Sequence, residues 1–484
     1  MMIPRLTGIV PRLNLSVTAS LFLIYTLCLS PIFLLLYLEL ANRRAEARDP
    51  KGCRKLGLRN CSNLGDENDY GTNGRRKRDR QSTTGNDKIR IKSLLAYPIK
   101  SCAAVEFNIA SVVGTGMAHD RQFCFAEYVE TPAAAESQGE KQQDKPTGQW
   151  VFRTMRDGKY SKLALIRPEV WVPDPSSPTY SPKRPEVRSK GVLVINYPRI
   201  PRGTGLKPLL TSIGMKLGLC SREESFHVPL QPPPSDDSAA NSYPSRSVRI
   251  WKDCPIAIDY GSLLPPSLIA FLDSSRPVSL FRINPNHHRN VFRCAPRKEA
   301  LGFQPTTGFA DAYPLHMLGL ASVREIAERA KYAIPKLSAR RFRPNIILEG
   351  SKAFEEDAWK RIRLVPGSAA GSKMMMRSKQ LEAEQGHKQN GTVKGNDEDG
   401  DEGIEVYTAC RTVRCRLPNV DPDTGIRHGV EPDKTLKSFR CIDPGDLKNA
   451  CLGMQCVPAI QEFTLRVGDE LEVLETGEHF YIKQ

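Results

Sequence analysis

The sequence predicts a mainly β, α+β chain of two β-rich modules carried behind one membrane-spanning helix. Three observations carry this expectation. An uncharged apolar run lies near the N-terminus, short segments of alternating apolar and polar residues recur from Ile89 onward, and polar stretches interrupt them without a sustained period. A chain of 484 residues is too long for one average domain, so two packed modules of ordinary size fit its length.

No charged residue occurs from Leu13 to Leu38, a stretch long enough to cross a hydrocarbon core as a helix, with Pro31 expected to kink it. No small-residue cleavage site follows, so residues 13–38 read as an uncleaved anchor. Arg5 and Arg12 precede the run, whereas Arg43, Arg44, Arg48, Lys51, Arg54, Lys55 and Arg59 follow it. The positive-inside bias places everything after Arg43 in the cytosol. Between Arg43 and Arg90 there are 14 Lys/Arg against 7 Asp/Glu, nearly half of the chain's net +16. Residues 39–87 therefore read as a disordered basic tether, too polar to offset the entropy of ordering. No nucleic-acid module accompanies it. The thirteen cysteines follow no CxxC or Cys/His zinc pattern, which argues against a structural zinc site and for a reducing compartment.

From Ile89, the segments IRIKSLLAYPIK, VEFNIASVV and DRQFCFAEYVE read as hairpin strands, and further short strands follow at Lys162 to Val172 and Gly191 to Tyr197. Glu130 to Gly148 and Pro229 to Ser247 are polar, Pro-rich or Gln-rich and read as surface insertions. A second block begins near Phe303, with a helix predicted by the spacing of Leu320, Val323, Ala327 and Ala330 and strands at PNIILEG and VYTACRTVRC. Its final hairpin is FTLRVGDELEVLE. Residues 367–403 have no period and read as a disordered insertion within the second module. The modules are drawn at 88–300 and 301–484.

Several residues carry chemistry of their own. Cys415 lies between Arg414 and Arg416, where positive charge favours a thiolate, a soft donor for a metal; a buried structural cysteine is the alternative. Lys100 and Ser101 follow a Tyr-Pro step at a strand end, where an ammonium and a hydroxyl can meet a phosphate. Arg121 follows Asp120 at a hairpin and reads as a phosphate contact or a structural ion pair. Arg343 and Asn345 bracket Pro344 before a strand and offer planar donors, or close a turn. Asp311 bonds a ligand or simply opens the loop before the Leu320 helix. His316 and His119 are neither paired nor spaced as metal ligands.

Five stretches, YPIKSC at Tyr97, HDRQF at His119, DAYPLHMLGLASV at Asp311, RFRPNI at Arg341 and RCRLPNVDPDTG at Arg414, together resemble the MOSC family with its N-terminal β-barrel partner domain. The likeness runs from about Ile89 to Leu474 apart from the insertions, and is nearest to the amidoxime-reducing and large fungal branches. It implies a β-barrel-like domain over 88–300, a MOSC β-barrel over 301–484 and a molybdenum cofactor, Mo-molybdopterin, in the cleft between them. By the same resemblance Cys415 is the metal ligand and catalytic centre, with Cys410 its competitor, and Lys100, Ser101, Arg121, Asp311, Arg343 and Asn345 hold the cofactor. Relatives commonly carry two hydroxyl residues where this chain has Ala312 and Tyr313.

The implied activity is reduction of small N-hydroxylated substrates with electrons from an external b-type cytochrome and its flavin-dependent reductase. No dinucleotide fingerprint or iron-sulfur cysteine set supplies electrons internally. The implied location is the outer mitochondrial membrane, with the endoplasmic reticulum as alternative. A sulfur-carrying, cofactor-sulfurase-like protein and a non-catalytic cofactor-binding membrane protein are the rival readings.

Overall fold

The computed structural model describes residues 16–59, 61–68, 88–130, 148–201, 205–218, 220–233, 243–367 and 403–483. It divides into two units, Met1–Lys51 and Gly52–Gln484. Within the first, Ser16 caps a helix over Val17–Arg48 by accepting a hydrogen bond from the Ala19 amide at 3.2 Å, and the helix continues through Pro31. Val17–Leu35 has a mean hydropathy of 2.0 and is long and apolar enough to cross a membrane. The helix outlasts the predicted span because the ANRRAEAR end consists largely of good helix formers.

The second unit is built on two closed barrels. Seven strands form the larger ring, in the order Ile346–Glu349, Leu315–Gly319, Cys451–Pro458, Ile404–Val413, Trp359–Val365, Glu470–Thr476 and Ile89–Ala96, which pairs back onto Ile346–Glu349. Alternation sends Trp359, Ile362 and Leu364 inward to meet Ile91, Leu94, Met317, Ile346 and Met454. The helix Leu320–Ala330 covers one flank with Leu320, Val323, Ile326, Ala327 and Ala330, the face its spacing predicted. Five strands, Ser245–Arg249, Ile256–Asp259, Val278–Ile283, Phe123–Glu130 and Gly148–Phe152, close the smaller barrel. Beside it lies a four-stranded antiparallel sheet of Cys53–Lys55, Arg167–Pro173, Val192–Pro198 and Glu223–Pro229.

Chain order and architecture part company at one strand. Ile89–Ala96 precedes the smaller barrel in sequence yet is a stave of the larger one, with Leu94 opposite Ile346 and Ile89 opposite Leu471. The Tyr97–Cys102 turn then carries the chain across to the smaller barrel, where the Lys100 amide donates to the Phe123 carbonyl at 2.8 Å.

The tether expectation needs correction. Residues 39–48 are helical, Cys53–Lys55 is a paired strand, and the Leu58 amide donates to the Glu106 carbonyl at 2.7 Å. Leu64 is only 4% exposed in the core beneath the Leu320–Ala330 helix, and the Glu67 carboxylate accepts from the Ala339 amide at 2.9 Å. Averaging composition over 39–87 hid the few apolar residues that dock. The basic run Arg75–Arg80 and the central parts of all three expected insertions, 131–147, 234–242 and 368–402, lie outside the described residues; the insertions' edges belong to strands, as at Glu223–Pro229 and Ser245–Arg249.

Because Leu64 fills a core position, Leu64→Ala should cost about 2–5 kcal/mol of stability, the range for buried leucine truncation. A chain beginning at Lys88 should likewise melt below one beginning at Asp49. Equal urea midpoints for all three proteins would show that residues 52–68 do not belong to the fold.

Candidate active-site cleft

The crossing turn, the Asp120 hairpin, the loop before Ile346–Glu349 and the end of Ile404–Val413 converge on one cleft of about 810 Å³. It lies between the two barrels of the second unit. All seven sequence-derived candidates line it: Lys100, Ser101, Arg121, Asp311, Arg343, Asn345 and Cys415. Ten Lys/Arg side chains against three Asp/Glu make its walls strongly cationic, a field suited to a polyanion. Three candidates, Ser101 (φ 69°), Arg121 (φ 48°) and Arg343 (φ 54°), adopt left-handed backbone conformations. Such conformations cost of order 1–3 kcal/mol each and cluster at ligand clamps.

Some of the cations are paired with carboxylates, whereas Arg343 and Arg414 are held by carbonyls. Arg121 is ion-paired to Asp120 at 2.5 Å, and its guanidinium also donates to the Asn345 side-chain oxygen at 3.2 Å and the Arg343 carbonyl at 3.0 Å. Arg343 donates to the Cys102 carbonyl at 2.7 Å and stacks over Tyr97 at 4.1 Å, while Arg121 lies 4.9 Å from the same ring. Burial pushes the Arg343 pKa down to about 10, so it remains charged at neutral pH. Arg414 donates to the carbonyls of Leu452 and Phe342 at 2.9 and 3.0 Å, and burial lowers its pKa to about 10 as well.

His316 accepts from Arg414 at Nε2 (2.6 Å) and faces the Arg343 carbonyl through Nδ1 at 3.3 Å. Burial and then Arg414 hold its pKa well below the ordinary value. This network assigns a neutral ring protonated at Nδ1.

Lys100 is buried, and its ammonium donates to the Phe309 carbonyl at 2.8 Å and to Asp311 at 2.6 Å. Burial lowers the Lys100 pKa against the raising effect of Asp311. Enclosure works to raise the Asp311 pKa, and Lys100, Arg121 and Arg289 more than reverse it, leaving the carboxyl well below its usual range. The Asp311 side chain is still 62% exposed, so the pair is not fully desolvated. Asn345 is buried and occupied by protein partners, accepting from the His316 amide and Arg121 and donating to the Leu95 carbonyl at 3.0 Å. It positions Arg121 and the strand.

Cys415 is exposed and lines the cleft immediately after the strand Ile404–Val413. Arg414 points inward beside it, while Arg416 turns away to Asp433 at 3.3 Å. Cys410 is fully buried among Val291, Tyr313 and Val457. Tyr313, buried in this cluster, and Ala312, packed against it, both also line the cleft.

Sequence reasoning missed Arg156, Lys252, Arg289, Arg293, Arg411, Arg414 and Lys483. Arg414 was visible as Cys415's neighbour and Arg411 lies on the strand before it; the others come from segments whose convergence no local spacing announces. It also set His316 aside, although that residue lies within the Asp311 stretch.

Three buried polar atoms of lining residues, Arg343 Nη2, Arg411 Nε and Thr412 Oγ1, have no hydrogen-bond partner. Such atoms are costly unless a ligand satisfies them. Among the described residues no group of three or more His, Cys, Asp or Glu is placed to hold a metal ion, so a metal here depends on donors that a cofactor brings. The cationic walls, the three orphan donors and one accessible thiol fit an anionic dithiolene cofactor.

The profile of the MOSC domain matches residues 304–472 and that of the MOSC N-terminal beta barrel domain matches 88–138. The chain belongs to the MOSC-domain proteins. Within them it is related to the mitochondrial amidoxime-reducing components. It is 28% identical to component 1 of Homo sapiens over 221 residues, 45% of this chain and 52% of that protein. To component 1 of Mus musculus it is 28% identical over 173 residues (34% and 38%), and to component 2 of Rattus norvegicus 30% over 136 residues (28% and 28%). These matches span from about a quarter to about half of the relatives' lengths.

Behind the wall, Cys294 receives hydrogen bonds from Cys410 and from the Ile482 amide at 3.4 Å, which with Tyr313 outweigh burial and push its thiol down to about 6. Alkylation of Cys294 should therefore rise as pH increases through about 6, whereas a free cysteine peptide in the same tube should follow an ordinary thiol at about 8.5. Peptide mass spectrometry after brief iodoacetamide pulses reads both profiles; coincident curves would contradict the assigned thiolate.

Proposed function

We propose that this protein is a membrane-anchored, molybdenum-cofactor-dependent oxidoreductase that reduces N-hydroxylated small molecules. The observation that carries the reading is the accessible Cys415 thiol on the wall of a cleft with ten cations and three unsatisfied donors, while its competitor Cys410 is buried. Kinship to amidoxime-reducing components supports the same reaction class.

Cys415 would supply the protein's soft ligand to the metal. Lys100, Ser101, Arg121, Arg343 and Thr412 would hold the anionic part of the cofactor, with Arg343 Nη2 and Thr412 Oγ1 gaining their missing partners. When bound, the cofactor supplies the two-electron redox centre. Substrate plus two electrons and two protons gives the reduced base and water. The electrons come from a donor of the b-type cytochrome class and its flavin reductase. Asn345 and Arg414 set the geometry: the first fixes Arg121, the second pins the backbone beside Cys415. Neutral His316, committed at both ring nitrogens, keeps the loop before Ile346 in register and holds no exchangeable charge near neutral pH. The Val17–Leu35 helix would anchor the chain, with the second unit cytosolic on the outer mitochondrial membrane.

Cys415→Ser should abolish reduction of an amidoxime test substrate and lower molybdenum content, while Cys410→Ala retains both; the opposite pattern would assign the ligand wrongly. Arg343→Ala should weaken cofactor retention by about one to two powers of ten, since a charge-assisted hydrogen bond contributes roughly 1.5–3 kcal/mol. Unchanged pterin content in that purified variant would remove the phosphate role.

A further inference from the structure

The helix Lys207–Lys216 connects two strands of the four-stranded sheet, Val192–Pro198 and Glu223–Pro229. A surface helix of a soluble protein turns its leucines inward and its polar residues outward. This one is reversed. Leu206, Leu209, Leu210, Ile213 and Leu217 are exposed, between 44% and 71%, and at about 100° per residue they fall in one arc. The opposite side, with Pro208, Thr211, Ser212, Gly214 and Met215, is the half-buried or buried one. Five residues of one helical face thus form an apolar ridge that the described residues leave exposed, which needs an explanation where isolated exposed leucines would not.

Charge and connectivity say what covers it. From Arg199 to Arg222 there are five Lys/Arg and no Asp/Glu, with Lys216 and Arg222 exposed. An apolar face within a wholly basic segment is the signature of a helix lying in the headgroup plane of an anionic bilayer. Only residues 49–52 separate the helix ending at Arg48 from the strand Cys53–Lys55, and that strand belongs to the same sheet whose loop carries the ridge. The chain thus joins the helix to the Cys53 end of this sheet through four residues, whereas the ridge leaves the sheet at its opposite, Pro198–Glu223 end.

We propose that the Leu206–Leu217 ridge is a second membrane contact, inserting its apolar face into the headgroup and acyl boundary of an anionic membrane. The proposal rests on the anchoring of the chain by Val17–Leu35. It assigns the ridge a job distinct from anchoring: a one-helix anchor leaves the second unit free to rotate, and a second contact removes that freedom and presents the cleft in a constant attitude to the membrane.

The test uses the full chain carrying Leu210→Trp, an exposed site where the ring is tolerated, in vesicles of phosphatidylcholine and phosphatidylserine with or without bromine on the acyl chains. An in-plane helix sinks about 5–10 Å, so bromine should remove about half of the emission that the introduced indole adds over the parent protein. Adding Leu209→Glu and Ile213→Glu should abolish that quenching, and omitting phosphatidylserine should reduce it, while every variant still floats with the vesicles. Flotation without quenching of the introduced indole overturns the ridge contact and leaves the anchor intact; this includes the case in which its emission is blue-shifted but unquenched, which would mean a protein partner covers the face. Failure of the full chain to float overturns the anchor and the ridge together.

Discussion

The guanidinium of Arg121 ties together the pieces on which the cleft depends. It reaches from the hairpin leading into the smaller barrel to the Asn345 side chain and the Arg343 carbonyl before a strand of the larger one. Asn345 in turn holds the Leu95 carbonyl and the His316 amide. One planar cation therefore sets the spacing of two barrels, and its fork of donors makes that spacing directional. Its neighbours are held differently. Where Arg121 also pairs with Asp120, Arg343 and Arg414 donate to carbonyls rather than to carboxylates, and Arg343 lies over the Tyr97 ring. Carbonyl dipoles offset desolvation without cancelling net charge, so the positive field remains available for a ligand.

That arrangement exists only because Ile89–Ala96 leaves its sequence neighbours to close the larger barrel. Its partners Ile346 and Leu471 lie more than 250 residues later, so closure is among the most non-local contacts in the chain. The turn after it then brings Lys100 and Ser101 to the seam. The larger barrel cannot be complete without residues from the N-terminal end of the second unit, and module boundaries drawn by sequence order cut through its wall. Stability and cleft geometry are thereby coupled: loosening the strand Ile89–Ala96 also displaces Tyr97 and the two cations stacked on it.

The two closely spaced cysteines show how an environment separates chemically identical groups. Cys410 points into the packed cluster with Tyr313 and Val457, and its proton is retained by its bond to Cys294 and by burial. Cys415, just beyond the strand end, is exposed beside the inward-pointing Arg414. Five residues along a strand and its exit suffice to move a thiol from core to cleft, because side chains alternate across a strand and the loop then releases the pattern.

Much of this was legible in the sequence. The apolar run, the alternating strands and the helix over Leu320–Ala330 follow from periodicity, because burial of one face is a local demand on residue type. The seven candidates of the site were legible through short stretches whose order resembles a known family; spacing alone left each with a structural alternative. Tertiary structure decided the rest. It docked Leu64 and Glu67 where average composition implied a tether, placed Ile89–Ala96 in the later barrel, gave Asn345 a positioning role and brought Arg156, Lys252 and Arg289 to the cleft from loops far apart in sequence. The physical reason is common to all four. Local patterning records which side chains must leave water, whereas partners across hundreds of residues are chosen by barrel closure, and no single segment of sequence encodes where its partner will be.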